Sequence, residues 1–69
     1  MGEERLTNTL REHRARLGLT QEQLAALVGV TRKSINTVET GRFVPSTLLA
    51  LKLARALGAP VETLFRIEE

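Results

Sequence analysis

Four side chains between residues 32 and 37 carry the most specific chemistry in this chain: Arg32, Lys33, Asn36 and Thr37. Arginine can donate two parallel hydrogen bonds to guanine O6 and N7, and lysine can reach the same atoms singly. Asparagine can pair with adenine through both amide atoms, and the threonine methyl can pack on the thymine methyl. The bland alternative is a solvated polar helix face. Arg32 and Lys33 fall in the first turn of the helix expected there, where the helix dipole disfavours cations by a few tenths of a kcal/mol. Their placement runs against local helix preference, which favours contact with something anionic or electronegative.

The polar side chains of residues 32–37 need a rod to hold them. Residues 20–41, TQEQLAALVGVTRKSINTVETG, read as two short helices joined by a tight turn. Thr20 and Gln23 are spaced as a capping box, with Leu19 and Leu24 as a hydrophobic staple. Leu24, Leu27 and Val28 form the expected inner stripe, and Gly29 supplies the turn. Thr31 caps the next helix, Val30 and Ile35 repeat the staple, and Ile35 and Val38 give one narrow apolar line. This pair has the dimensions of a helix-turn-helix, about residues 21–40, whose second helix enters the major groove.

Apolar spacing and punctuation at Gly18, Gly29, Gly41, Pro45, Gly58 and Pro60 divide the chain into five helical segments. The first covers about Thr7 to Leu17, with Leu6, Leu10 and Leu17 on one face. The fourth follows Ser46 as cap and runs to Gly58, with Leu49, Leu53, Ala56 and Leu57 suited to a core. The fifth has Pro60 at its first position, with Val61, Leu64 and Phe65 inward. The tail Arg66–Glu69 is either frayed or a short strand. The expected class is all-α, in one domain spanning residues 1–69.

Composition narrows the function. With no cysteine, no aspartate and one histidine, the chain offers no metal cluster, disulfide or catalytic constellation. It reads as a non-enzyme that needs no cofactor and implies no small-molecule ligand. Two phenylalanines are its only aromatic residues, too few for a base-stacking platform on single strands. The net charge is +2, yet residues 5–67 carry ten basic and four acidic groups, a balance of +6. Four of the eight acids, Glu3, Glu4, Glu68 and Glu69, lie at the ends. Such a basic body attracts nucleic acid first. No apolar run approaches the roughly 18 residues of a membrane span, and the first residues lack a secretory signal pattern, so a cytoplasmic protein is expected. The Met-Gly start beside Glu3 and Glu4, without a polybasic run, argues against lipidation.

The chain resembles the Xre/Cro–cI family of bacterial and phage helix-turn-helix regulators, in particular short single-domain members of the cytolysin-repressor type. The residues that carry the likeness are LREHR at 10–14, GLTQ at 18–21, LA at 24–25, GVT at 29–31, INTVETG at 35–41, PS at 45–46 and LG at 57–58. His13 stands where an aliphatic residue is usual, and Thr47 and Leu48 invert the usual apolar-then-polar order. The resemblance implies a five-helix, phage-repressor-like domain. It implies base reading from the positions of Arg32, Lys33 and Thr37, with Asn36 a candidate to join them. It implies phosphate contacts from Gln21, Thr40, Arg42 and the backbone near Phe43, and a structural ion pair between Arg14 and Glu39.

The resulting expectation is a sequence-specific regulator of double-stranded DNA, a repressor acting as a homodimer on an inverted repeat. The dimer surface is expected at Val61, Leu64, Phe65 and Ile67, because family members often pair through this end. Two alternatives stand beside it: a controller or antitoxin-type protein whose main task is binding a partner, and a helix-turn-helix scaffold used only for protein contact.

Overall fold

A computed structural model of the chain describes residues 4–68. Met1, Gly2, Glu3 and Glu69 lie outside them, and with them the readings on lipidation and on two of the four terminal acids. In chain order the elements are strand β1 (Arg5–Asn8), helices α1 (Leu10–Arg16), α2 (Gln21–Val28), α3 (Arg32–Glu39), α4 (Thr47–Leu57) and α5 (Val61–Leu64), and strand β2 (Phe65–Glu68). The fold is mostly helical, with five helices and one small antiparallel sheet.

The helix starts follow their local signals. Thr20 Oγ1 accepts from the Gln23 N–H at 3.0 Å, and the Gln23 side chain accepts from the Thr20 N–H at 2.8 Å, which closes the capping box. Thr31 and Ser46 cap α3 and α4 through the N–H groups of Ser34 and Leu49. Gly29 ends α2 with φ +76°, a conformation that would strain a β-branched residue. The Val30 N–H then returns to the Ala25 carbonyl at 3.0 Å, which turns the chain sharply into α3.

The first helix is shorter than its apolar spacing suggests. Residues 5–8 form β1 and pair with β2 in the register Arg5↔Glu68, Leu6↔Ile67, Thr7↔Arg66 and Asn8↔Phe65. Thr7 is therefore a strand residue. The tail is a strand because β1 supplies its partner. Asn8 makes the hinge between strand and helix. Its Oδ1 accepts from the Leu10 N–H at 3.1 Å, and its Nδ2 donates to the Val38 carbonyl at 2.9 Å. One side chain thus accepts from the first N–H of α1, just ahead of its N-cap Thr9, and ties β1 to the end of α3. Thr9 adds a second tie, from its N–H to the Leu64 carbonyl at 2.9 Å.

The core gathers Leu10, Leu24, Ala25, Val28, Ile35, Val38, Leu53, Leu57, Leu64 and Phe65. Two expected core positions differ. Leu27 is 63 % exposed, and Ala25 takes the inward place beside Leu24 and Val28. In an eight-residue helix the inward arc can rotate by one position, and close approach of α2 to α3 favours the smaller side chain. Leu17 is likewise exposed, because α1 ends at Arg16 and the chain turns away through Gly18.

Asn8→Ala removes the acceptor of the Leu10 N–H, worth about 1 kcal/mol, and leaves the Val38 carbonyl without this donor, worth about 1 kcal/mol more. Urea denaturation is expected to show a loss of about 2 kcal/mol; a change within the roughly 0.5 kcal/mol of an ordinary surface substitution would contradict the hinge role.

Candidate nucleic-acid interface

The outer face of α3 is held by a buried acid at the helix's other end. The Glu39 side chain is 0 % exposed. Its Oε2 accepts from Arg14 Nε at 2.7 Å. Its Oε1 accepts from Arg14 Nη2 at 3.3 Å and from Gln21 Nε2 at 3.0 Å. Arg11 Nε lies 3.7 Å from the same oxygen, near the surface. Arg14 is 14 % exposed and donates its Nη1 to the Leu19 carbonyl at 2.8 Å. One carboxylate therefore joins α1, the turn before α2, the first residue of α2 and the last residue of α3. Burial pushes its carboxyl upward. The hydrogen bonds from Arg14 and Gln21, with the charges of Arg14 and Arg11, outweigh that and hold it below the ordinary carboxylate range. Every buried side-chain polar atom among the described residues has a partner.

Gln21 carries this link into α3. Its second amide hydrogen goes to Asn36 Oδ1 at 3.1 Å. Both amide hydrogens are committed inside the protein, so the Gln21 side chain has no donor left for a phosphate. The helix-orienting part of its expected role is thus visible in the bonds to Asn36 and Glu39; at this helix start the main-chain N–H groups of Gln21 and Glu22 have no partner among the described residues. Thr40 is likewise engaged within the protein. Its hydroxyl donates to the α3 carbonyls of Asn36 at 2.9 Å and Thr37 at 3.3 Å, which finishes the helix end. The bonds of Gln21 and Asn36 connect residues 15 positions apart, and no local sequence signal announces them.

Other site residues stay open to the outside. Arg32 and Lys33 are exposed in the first turn of α3 and form no ion pair among the described residues. Asn36 is half-buried, with its Oδ1 fixed by Gln21 and its Nδ2 without a partner among the described residues. Thr37 donates its hydroxyl to the Ser34 carbonyl at 2.9 Å, so what it has left to offer is its methyl group. After α3 the chain turns at Gly41, and the Arg42 N–H bonds the Thr37 carbonyl at 3.0 Å, fixing Arg42 against the helix with its guanidinium exposed. Phe43 is exposed beside it, and its N–H has no backbone partner among the described residues.

The expected dimer residues divide. Leu64 and Phe65 are in the core and cannot face a second copy without unpacking it. Val61 is half-buried against the core, and Ile67 is 66 % exposed.

Comparison with known proteins agrees with this geometry. A family model described as a helix-turn-helix domain matches residues 5–65. A protein of Methanothermobacter thermautotrophicus named an uncharacterized HTH-type transcriptional regulator is 54 % identical over 61 residues, covering 87 % of this chain and 88 % of the relative. Among solved structures, the restriction-modification controller protein C.AhdI from Aeromonas hydrophila is similar at TM-score 0.73 and 42 % identity, over 78 % of this chain and 82 % of that one. The P22 c2 repressor in complex with a synthetic operator is similar at TM-score 0.75 and 28 % identity, over 77 % and 80 %. No helix among the described residues is long and apolar enough to cross a membrane.

Removing one partner of a buried pair strands the other charge. Glu39→Ala is therefore expected to lose about 3–5 kcal/mol of stability. Because the folded carboxyl titrates below its unfolded value, the charged form stabilises the fold above about pH 4.3, and that contribution disappears as pH falls through the folded value. The stability gap between wild type and Glu39→Gln should be constant above about pH 5 and close in more acid solution. A gap that does not change with pH would contradict the charge-based account.

Proposed function

The chain belongs to the helix-turn-helix domain family of transcriptional regulators, and on that footing we propose that it represses transcription by binding double-stranded DNA sequence-specifically as a homodimer. The observation that carries this reading is α3 itself. Two cations without an ion-pair partner among the described residues, Arg32 and Lys33, stand at its start, and the Glu39 cluster fixes its far end.

In this reading α3 lies in the major groove. Arg32 bonds guanine O6 and N7 as a fork, and Lys33 reaches an acceptor nearby. Gln21 holds the Asn36 amide in one orientation, so Asn36 approaches the bases with Nδ2 as a preset donor. Arg42, the Phe43 N–H and the first N–H groups of α2 meet phosphates, which set position and carry no sequence information. Repression follows from covering a promoter. The operator-bound P22 c2 repressor supports this reading by its similarity.

One such domain reads few base pairs, so a two-fold pair on an inverted repeat is the economical arrangement, with half-sites about 34–36 Å apart or a multiple of that. The pairing surface is placed around Ile67. Leu6 faces Ile67 across the sheet, and Leu6 and exposed Val44 line one groove. The exposed apolar residues of α4, Leu48 and Leu51, share its outer face with Lys52 and Arg55, where a two-fold axis would oppose like charges. Leu48 borders a groove with Val30, Phe43 and Lys52, not with the tail.

Similarity to the C.AhdI controller favours a second reading, in which the same DNA contacts adjust the expression of a neighbouring gene set. The two readings share α3 and differ in the genes beside the binding site, which genome-wide mapping of bound sites separates.

Arg32→Ala is expected to cost about 1–3 kcal/mol and to relax choice at one base position, while Arg42→Ala weakens all sequences alike and flattens the salt dependence. Identical behaviour of both variants on matched and scrambled duplexes would contradict the division of roles. Sedimentation at high micromolar concentration should show a wild-type dimer and an Ile67→Glu monomer; a wild type that stays monomeric overturns the pairing.

A further inference from the structure

A groove of about 440 Å³ runs between the end of α2 and the outer side of α4. Ala26, Leu27 and Gly29 border it from α2 and its cap, and Lys52, Arg55 and Ala56 border it from α4. Through Val28, Gly29 and Lys52 it continues into a second groove of about 310 Å³ beside Leu48. Leu27, Leu48 and Leu51 are each more than half exposed and belong to no core cluster. Leu48, Leu51, Lys52 and Arg55 recur at i, i+3, i+4 and i+7, which places them on one face of α4.

The charge of this face is one-sided. No acidic residue borders either groove. Lys52 and Arg55 have no ion-pair partner among the described residues, and at a spacing of three they are neighbours of like sign. Arg55, in the last turn, also answers the helix dipole; Lys52, in the middle of α4, does not. A solvated basic pair needs no leucines around it. A phosphate would satisfy the cations and leave the leucines in water. An occupant that satisfies both carries apolar and acidic side chains together.

We propose that this face docks an acidic amphipathic helix of another protein, with its apolar stripe on Leu27, Leu48 and Leu51 and its carboxylates on Lys52 and Arg55. A helix suits the groove because Ala26, Gly29 and Ala56 are small and let a third helix approach α2 and α4 closely. Helices held in this way present anchors at i, i+3, i+4 and i+7. Leu27, Lys52 and Arg55 are not among the residues assigned to DNA or to pairing around Ile67, so the inference stands apart from both readings.

The test uses the full chain and a synthetic helix of about four turns, with leucines at i, i+3, i+4 and i+7 and glutamates on both flanks. One control peptide carries lysine in place of glutamate, and another carries the same residues in scrambled order. Backbone amide shifts map the site, and fluorescence anisotropy gives the affinity. The glutamate peptide is expected to bind below about 1 mM, the weak end of specific association, with shifts centred on residues 26–29 and 52–56. The double variant Lys52→Glu, Arg55→Glu should bind it about tenfold more weakly and should bind the lysine peptide more tightly. Leu27→Ser, at an exposed position, should weaken the glutamate peptide while helix content is unchanged. The double variant is also titrated with a duplex selected from a random pool, and sedimented. Equal binding of the scrambled peptide, shifts centred on Arg32 and Lys33, or no binding at that concentration overturns the inference. So does a double variant that loses the duplex and keeps the peptide, which assigns the cations to phosphate. A double variant that turns from dimer to monomer assigns the face to a second copy and overturns it as well.

Discussion

A single buried carboxylate sets the geometry on which the rest of this small protein depends. Glu39 closes α3, and three neighbouring parts of the chain reach it: α1 through Arg14, the start of α2 through Gln21, and the surface edge of α1 through Arg11. The α1–α2 turn joins indirectly, because Arg14 also holds the Leu19 carbonyl. A buried ion pair is weak evidence for net stability, since desolvation offsets much of the attraction. Its value here is directional. α3 carries only Ile35 and Val38 as buried apolar residues, too narrow a line to fix its rotation about its own axis. Directional bonds at Glu39 and Asn36 supply that rotation, and with it the direction in which Arg32 and Lys33 project.

The polar side chains of the two central helices fall into two groups. Gln21, Thr31, Ser34, Thr37, Glu39 and Thr40 commit hydroxyl, amide or carboxylate groups to the protein itself. Arg32, Lys33, Arg42 and the Asn36 amide nitrogen do not. The first group makes the second stiff. The sequence has no cysteine and the described residues form no cluster of metal-ligating side chains, and the fold holds its ends by other means. β1 and β2 pair across nearly the full length of the chain, and Asn8 links that sheet to the last turn of α3. The sheet and the Glu39 cluster therefore grip the same helix terminus from two sides.

Most of the helical framework is legible from the sequence because its signals are local. Thr20 with Gln23, Thr31 and Ser46 each mark a start through a bond to a backbone N–H three positions away. Gly29 and Gly58 mark stops through positive φ. What is not legible depends on distant partners. Thr7 and Asn8 continue the helical spacing of α1 well enough to pass for its first turn, and only β2 makes residues 5–8 a strand. Leu64 and Phe65 could as well face a partner as the core until α5 is seen packed against α4. Gln21 resembles a phosphate ligand by position, yet its amide points inward because Asn36 and Glu39 both lie within reach. The proposed DNA-facing role of α3 rests on charge pattern and helix spacing that the sequence already displays. The side chains that hold it in register emerge only from the assembled fold.

The most direct test is one NMR titration of the full chain with its selected duplex, following the Nε–H resonances of Arg14 and Arg32. Arg14 is bonded to Glu39 in the free protein, so its signal should be sharp and protected from solvent exchange before DNA is added and should stay in place at saturation. Arg32, exposed and without an ion-pair partner among the described residues, should become protected only as DNA binds. An Arg14 signal that exchanges freely, or an Arg32 signal indifferent to saturating duplex, would contradict the account of α3 as a helix oriented by Glu39 to meet base edges.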